Sequence, residues 1–323
     1  MADFSLNLVH TLKSTDVKTL AVAFDPTSKV LACAGKEGCV RIFDVESGEL
    51  LKTCRQHVDF IYTLAFETEG KTVISAGKDK TLRVWDIETG KFVRDYADIC
   101  SSSASSRSMM SQSFKPSLKS HKMTVLCVAC ADGGYMATGG QDCHVKLWKN
   151  GNPIRTYDWH SGPVIAVAFQ PGSHILFSAS KDRTIRSWDE ITGAMVHKYQ
   201  GHLDEVSSLH FLDETHFVTS DISGKVFVWD VEKESPLGCI FSADQAIQCS
   251  SLSPDKEKLV LGFDTGDIAV ISTKFDGKPK EAEALFSTHG HNLAIRSVDW
   301  ASDGIHIASG DNEGVSKIWK ISE

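Results

Sequence analysis

The sequence predicts an all-β fold made of seven like units closed into a ring. Three observations predict it. A short apolar segment ending in Trp-Asp or a near relative recurs along the chain, the recurrence is close to 40 residues, and no segment shows sustained helical periodicity. The segments read CVRIFD (39–44), TLRVWD (81–86), HVKLWK (144–149), TIRSWD (184–189) and KVFVWD (225–230), then the weaker DIAVIS (267–272) and VSKIWK (315–320). Their intervals are 40 to 42 residues, apart from 63 between Trp85 and Trp148 and 48 between Ile271 and Trp319. A period of about 40–45 residues holding four strands is that of a propeller blade.

Unit four shows the elements in order. HSGPVIAVAF, ILFSAS, IRSWD and AMVHKYQ each alternate apolar and polar residues as half-buried strands do, and KDRT and EITG punctuate them as turns. The long second interval contains residues 97–120, where eight serines lie between Ser101 and Ser113. That composition predicts a Ser-rich, poorly ordered loop insertion at about 98–118. TKFDGKPKEAEAL lengthens unit six in the same way and reads as structural.

The 323 residues carry a formal charge of −8, with 41% hydrophobic and 24% charged residues. This is ordinary globular composition, and the acidic balance argues against a global nucleic-acid footprint. No run approaches the roughly 20 apolar residues of a membrane span, and MADFSLNLVH lacks the features of a secretory signal. Nine scattered cysteines read as buried thiols of a reducing compartment, not as a disulfide framework.

The Gly201-His202 and Gly290-His291 pairs, the Asp between the second and third strands, and the Trp-Asp endings resemble the WD40 family. The resemblance covers the whole chain and is specific, since five units place His 27 or 28 residues before Trp. It implies a seven-bladed β-propeller, with 1–323 as one domain. LNLVHTLKST aligns with the fourth strand of unit four, and the last unit stops after its third. Residues Ser5–Leu12 are therefore expected beside Val315–Ile321, completing blade seven and leaving only short edges.

Three units carry a full His, Ser/Thr, Asp, Trp set: His57, Ser75, Asp79, Trp85; His121, Thr138, Asp142, Trp148; and His160, Ser178, Asp182, Trp188. Such residues could form a hydrolase triad, but one active site would not appear three times, and no G-x-S-x-G elbow is present. The resemblance implies buried structural tetrads instead. By spacing, Ser223 replaces the Asp in unit five and Glu313 takes its place in unit seven. Units one (Thr15, Cys33, Glu37, Phe43) and six (Ala243, Leu261, Thr265, Ile271) lack the set and are expected to rely on apolar packing.

Cys127 and Cys130 form a C-x-x-C within one strand, where residues three apart face opposite ways and cannot share a metal. Gly70-Lys71-Thr72 echoes a P-loop but lacks its first Gly and its helix, and Lys278–Lys280 reads as a solvated turn. The sequence thus suggests no metal, no cofactor and no enzyme activity.

Function in such a fold lies on its surfaces. The resemblance places Leu20, Tyr62, Leu126, Ile165, Ser207, Gln248 and Arg296 around the top entrance of the channel, with Phe60 and the B–C turn residues Lys36, Lys78 and Lys181 close by. An apolar cluster rimmed by cations is expected to bind other proteins or peptide segments. A non-catalytic scaffold of cytoplasmic or nuclear complexes is the leading reading, without membrane or small-molecule substrate. An RNA or chromatin reader using the top-face lysines is the alternative.

Overall fold

The computed structural model describes residues 5–13, 18–96, 121–275 and 284–322. The Ser-rich insertion, 97–120, and residues 276–283 within the second insertion lie outside these residues.

Seven four-stranded antiparallel sheets form a seven-bladed propeller. Within blades one to six the strands follow chain order from the channel outward, as in blade four: Val164–Phe169, Ile175–Ser180, Thr184–Asp189 and Met195–Gln200. The inner strands touch their neighbours round a closed circuit. Blade seven takes three strands from the end of the chain (Ile295–Trp300, His306–Asp311 and Val315–Ser322) and its outer strand, Ser5–Lys13, from the beginning. That strand pairs antiparallel from Ser5 opposite Ser322 to Lys13 opposite Val315, so the last blade is completed as the alignment predicted.

The alternating strands place apolar side chains on both faces of each blade, so the core is divided into layers between blades. Trp85 lies against Val40 and Ile42 of blade one, with Ile61 of its own blade, and Trp188 packs with Val145 and Leu147 of blade three and Val164 of its own blade. Between blades four and five Phe177, Tyr199, Phe211, Phe217 and Trp229 form an aromatic layer, with Phe177 and Phe211 edge-to-face at 4.9 Å. Burial of such rings supplies much of the apolar driving force. Blade six, with Ile271 at the Trp position, packs through Val218, Val226, Phe241, Leu259 and Leu261. In blade one Phe43 packs with Leu12, Phe24, Leu31 and Ile318, while the buried Arg41 guanidinium pairs with Glu37.

Cys127 enters the layer between blades three and four and Cys130 the layer between two and three. Burial pushes each thiol up to about 12. The two sulfurs face away from one another, as the strand period requires.

Candidate functional site

The top of the propeller is the face where each outer strand connects to the next inner strand and where the second and third strands of each blade turn. Beneath these loops lie the tetrads. In blade two the indole Nε1–H of Trp85 donates to Ser75 Oγ at 2.7 Å, the Ser75 hydroxyl donates to His57 Nε2 at 2.7 Å, and His57 Nδ1–H donates to Asp79 at 2.7 Å. Trp148, Thr138, His121 and Asp142 repeat the chain at 2.9 Å throughout, and Trp188, Ser178, His160 and Asp182 at 2.8 Å. Each buried polar group is thereby satisfied.

Two more blades hold the full tetrad, which corrects the assignments of Ser223 and Glu313. His202 Nδ1 donates to Asp221 at 2.7 Å and its Nε2 accepts from Thr219, to which Trp229 donates. His291 does the same with Asp311 and Ser309, under Trp319. Spacing failed because two turn positions can deliver the same carboxylate. In blades two to four the Asp lies four residues after the hydroxyl, within the turn. In blades five and seven it lies two residues after, at the end of the second strand, and Ser223 and Glu313 cap the turn around it. In blade three the space used by that alternative is already filled, since a Cβ at Gly140 would lie 2.5 Å from His121 Nδ1 and 2.7 Å from Asp142 Oδ1. An Asp two residues after the tetrad hydroxyl was the available sequence signal.

Burial opposes ionisation of these carboxylates, but the imidazole and the turn hydroxyls and amides outweigh it. Asp79 and Asp142 are held down to about 2, and Asp182, Asp221 and Asp311 are also lowered. The hydroxyls of Ser75, Thr138, Ser178, Thr219 and Ser309 belong to residues that are at most 1% exposed, so no substrate reaches them as nucleophiles.

The channel mouth lies above. In every blade the inner strand carries a β-bulge two residues from its start, and the extra residues are Leu20, Tyr62, Leu126, Ile165, Ser207, Gln248 and Arg296. A bulge leaves one residue unpaired and re-aims its side chain. All seven line one cavity of about 490 Å³, together with Phe60, Lys18, Lys181 and Glu205. The ring placed by resemblance is thus brought together, and the bulge supplies the cause.

The flanking cations are engaged in different ways. Lys36 and Lys78 hold their ammonium groups 5.5 and 4.9 Å from the centre of the Phe60 ring, and Phe60 in turn lies 6.3 Å from Tyr62. Neither lysine lines the cavity itself. Lys78 also pairs with Asp59 at 3.3 Å, and Lys181 pairs with Glu205 at 2.6 Å. Arg296 donates to Gln248 at 2.8 Å and Asn312 at 3.1 Å.

Below the mouth lies a cavity of about 580 Å³ lined by the inner strands of blades two to seven. In its wall Ser208 bonds Ser250 at 2.6 Å, Ser251 donates to Asp299 at 3.1 Å, and Asp299 accepts the Phe24 amide of blade one at 2.8 Å. These bonds tie blades five, six, seven and one. Burial pushes Asp299 up to about 6 despite them. Among the described residues no group of three or more His, Cys, Asp or Glu is placed to hold a metal ion, and no helix is long and apolar enough to cross a membrane.

Ring, tetrads and bulges together define a WD-repeat propeller. The model of the WD domain, G-beta repeat, matches residues 6–44, 48–86, 112–149, 151–189, 193–230 and 282–320, and the chain belongs to that family. Blade six, which has no tetrad, supplies most of the unmatched stretch between 230 and 282. Similar proteins include the U3 snoRNP-associated protein-like EMB2271 of Arabidopsis thaliana, 26% identical over 216 residues, 62% of this chain and 44% of that protein. Nuclear distribution protein PAC1 of Gibberella zeae is 36% identical over 203 residues, 56% of this chain and 42% of its own. Human serine-threonine kinase receptor-associated protein is 26% identical over 192 residues, 58% and 52% respectively. The matched part spans about half or less of each relative.

Proposed function

We propose that this chain is a non-catalytic interaction scaffold that receives an extended or helical segment of a protein partner at the top of its channel. The observation that carries this reading is the set of seven bulges. They aim one residue per blade into a single cavity, and in blades one to four those residues are Leu20, Tyr62, Leu126 and Ile165, with Phe60 alongside. A half-exposed apolar wall with a polar rim is the anatomy of a protein interface. Two of the relatives are named for association with a snoRNP and with a receptor kinase, in keeping with work inside nuclear or cytoplasmic assemblies. Top-face lysines as phosphate readers are disfavoured, because Lys36 and Lys78 lie over Phe60 and Lys181 is paired with Glu205.

The test is recovery of native partners by a Phe60→Ala, Tyr62→Ala, Ile165→Glu variant whose melting temperature matches the parent. Tyr62→Ala or Ile165→Glu alone is expected to weaken binding by about tenfold or more, and a single lysine change by about fivefold at most. Full recovery of every partner by the triple variant would move the docking site elsewhere.

A further inference from the structure

The top face is electrically divided, and the division follows from the two turn solutions. In blades two to four the tetrad Asp sits inside the turn, facing inward. The residues on either side of it are Lys78 and Lys80 in blade two, Gln141 and the half-buried Cys143 in blade three, and Lys181 and Arg183 in blade four, of which Lys80 and Arg183 are exposed cations outside the ion pairs already described. The last of each pair adopts the left-handed region, with φ of 65° at Lys80 and Cys143 and 68° at Arg183. In blades five and six the same position is Gly224 (φ 86°) and Gly266 (φ 89°), pressed against the next blade. A Cβ there would lie 2.1 Å from the Ala243 carbonyl oxygen and 2.0 Å from that of His291. Those turns carry no cation at that position; they and the neighbouring loops bear exposed Asp264, Glu313 and Asp244 and half-buried Asp204 and Glu205, with Arg296 of blade seven an exposed cation at the mouth.

The cationic sector also carries exposed apolar groups outside the mouth. Trp159 is 61% exposed and directly precedes His160, whose carboxylate partner Asp182 lies within the turn 181–183. Leu203 is 76% exposed, and the Arg183 guanidinium reaches its carbonyl oxygen at 3.5 Å. Arg183 therefore projects beside Leu203 at the top of blade five, Trp159 stands at the start of blade four next to exposed Asp158, and exposed Lys122 extends the cationic sector across blade three.

We propose that the segment received at the mouth is bipolar: an acidic stretch lies over blades two to four with apolar residues against Trp159 and Leu203, and a basic stretch lies over blades five to seven. Charge complementarity fixes its direction across the face, since reversal would set its acids against Asp204, Asp264 and Glu313 and its bases against Lys80, Lys122 and Arg183. The proposal rests on the mouth as the docking site and adds the chemistry and direction of the occupant.

The experiment is selection of a random 16-residue peptide library on the full chain, followed by anisotropy titration of the enriched peptides. They are expected to carry Asp or Glu on one side of an apolar centre and Lys or Arg on the other, and to lose binding to Tyr62→Ala. A Lys80→Glu, Lys122→Glu, Arg183→Glu variant, first checked for an unchanged melting temperature, should bind them about tenfold or more weaker at 50 mM salt. Asp264→Lys with Glu313→Lys should weaken the same peptides through their basic half. Peptides that depend on Tyr62 but show no charge order, or ignore both reversals, would overturn the bipolar segment and leave the mouth as the docking site. Peptides indifferent to Tyr62→Ala and Ile165→Glu, or no enrichment at all, would overturn both.

Discussion

Replacing Asp221 by Ala removes the carboxylate that accepts from His202 Nδ1 at 2.7 Å, from the Ser223 amide at 3.0 Å and from the Lys225 amide at 3.1 Å. His202 and Asp221 are both buried, so the imidazole N–H is left without a partner and without water, at about 1–3 kcal/mol. The turn amides lie nearer solvent and add about 1 kcal/mol between them. The total is about 2–4 kcal/mol. An unfolding entropy of about 2.1 cal/mol/K per residue over 323 residues gives about 1.5 °C per kcal/mol, hence a fall of about 3–6 °C in Tm. Ser223→Ala removes one hydroxyl bond to Asp221 at an exposed position and should cost under about 1 kcal/mol. Scanning calorimetry of both variants, with the His202→Ala, Asp221→Ala double variant to measure their coupling, tests the assignment. A Ser223→Ala loss equal to or greater than that of Asp221→Ala would refute it.

Removing residues 1–13 strips the outer strand from blade seven, and the exposed Val315–Ser322 edge should bring aggregation and a lower Tm; a truncated chain as soluble and stable as the parent contradicts this. The tetrad carboxylates have depressed folded pKa values, so their stabilisation is complete above the unfolded value near 4 and is lost as pH falls from about 4 through about 2. Asp182→Asn should therefore flatten the acid limb of Tm against pH below 4, and parallel curves for parent and variant would count against the ionised tetrad. Asp299 titrates the other way. Its folded pKa is raised to about 6, so the parent should lose stability as pH rises from about 4 to 6 relative to Asp299→Asn. The same slope in both would remove Asp299 as the cause.

How much was legible in the sequence follows from how local each feature is. Four strands per 40 residues, the Trp positions and the tetrads of blades two to four depend on periodicity and spacing within one unit. Closure by Ser5–Lys13 was legible too, because the repeat itself showed which strand the last unit lacked. The Asp221 and Asp311 tetrads were not, since two turn geometries reach one point in space and spacing alone does not choose between them. Pairing register decided that Leu20, Tyr62, Leu126 and Ile165 face one cavity, since a bulge is a property of two strands and not of one. Packing of neighbouring blades placed Lys36 of blade one over Phe60 of blade two and Lys181 of blade four against Glu205 of blade five. The sequence by itself determined the repeat and therefore the blades, because strand and turn formation draw on near neighbours. The tertiary structure alone decided which charges stay free and where the apolar wall faces, because these depend on contacts between residues in different blades.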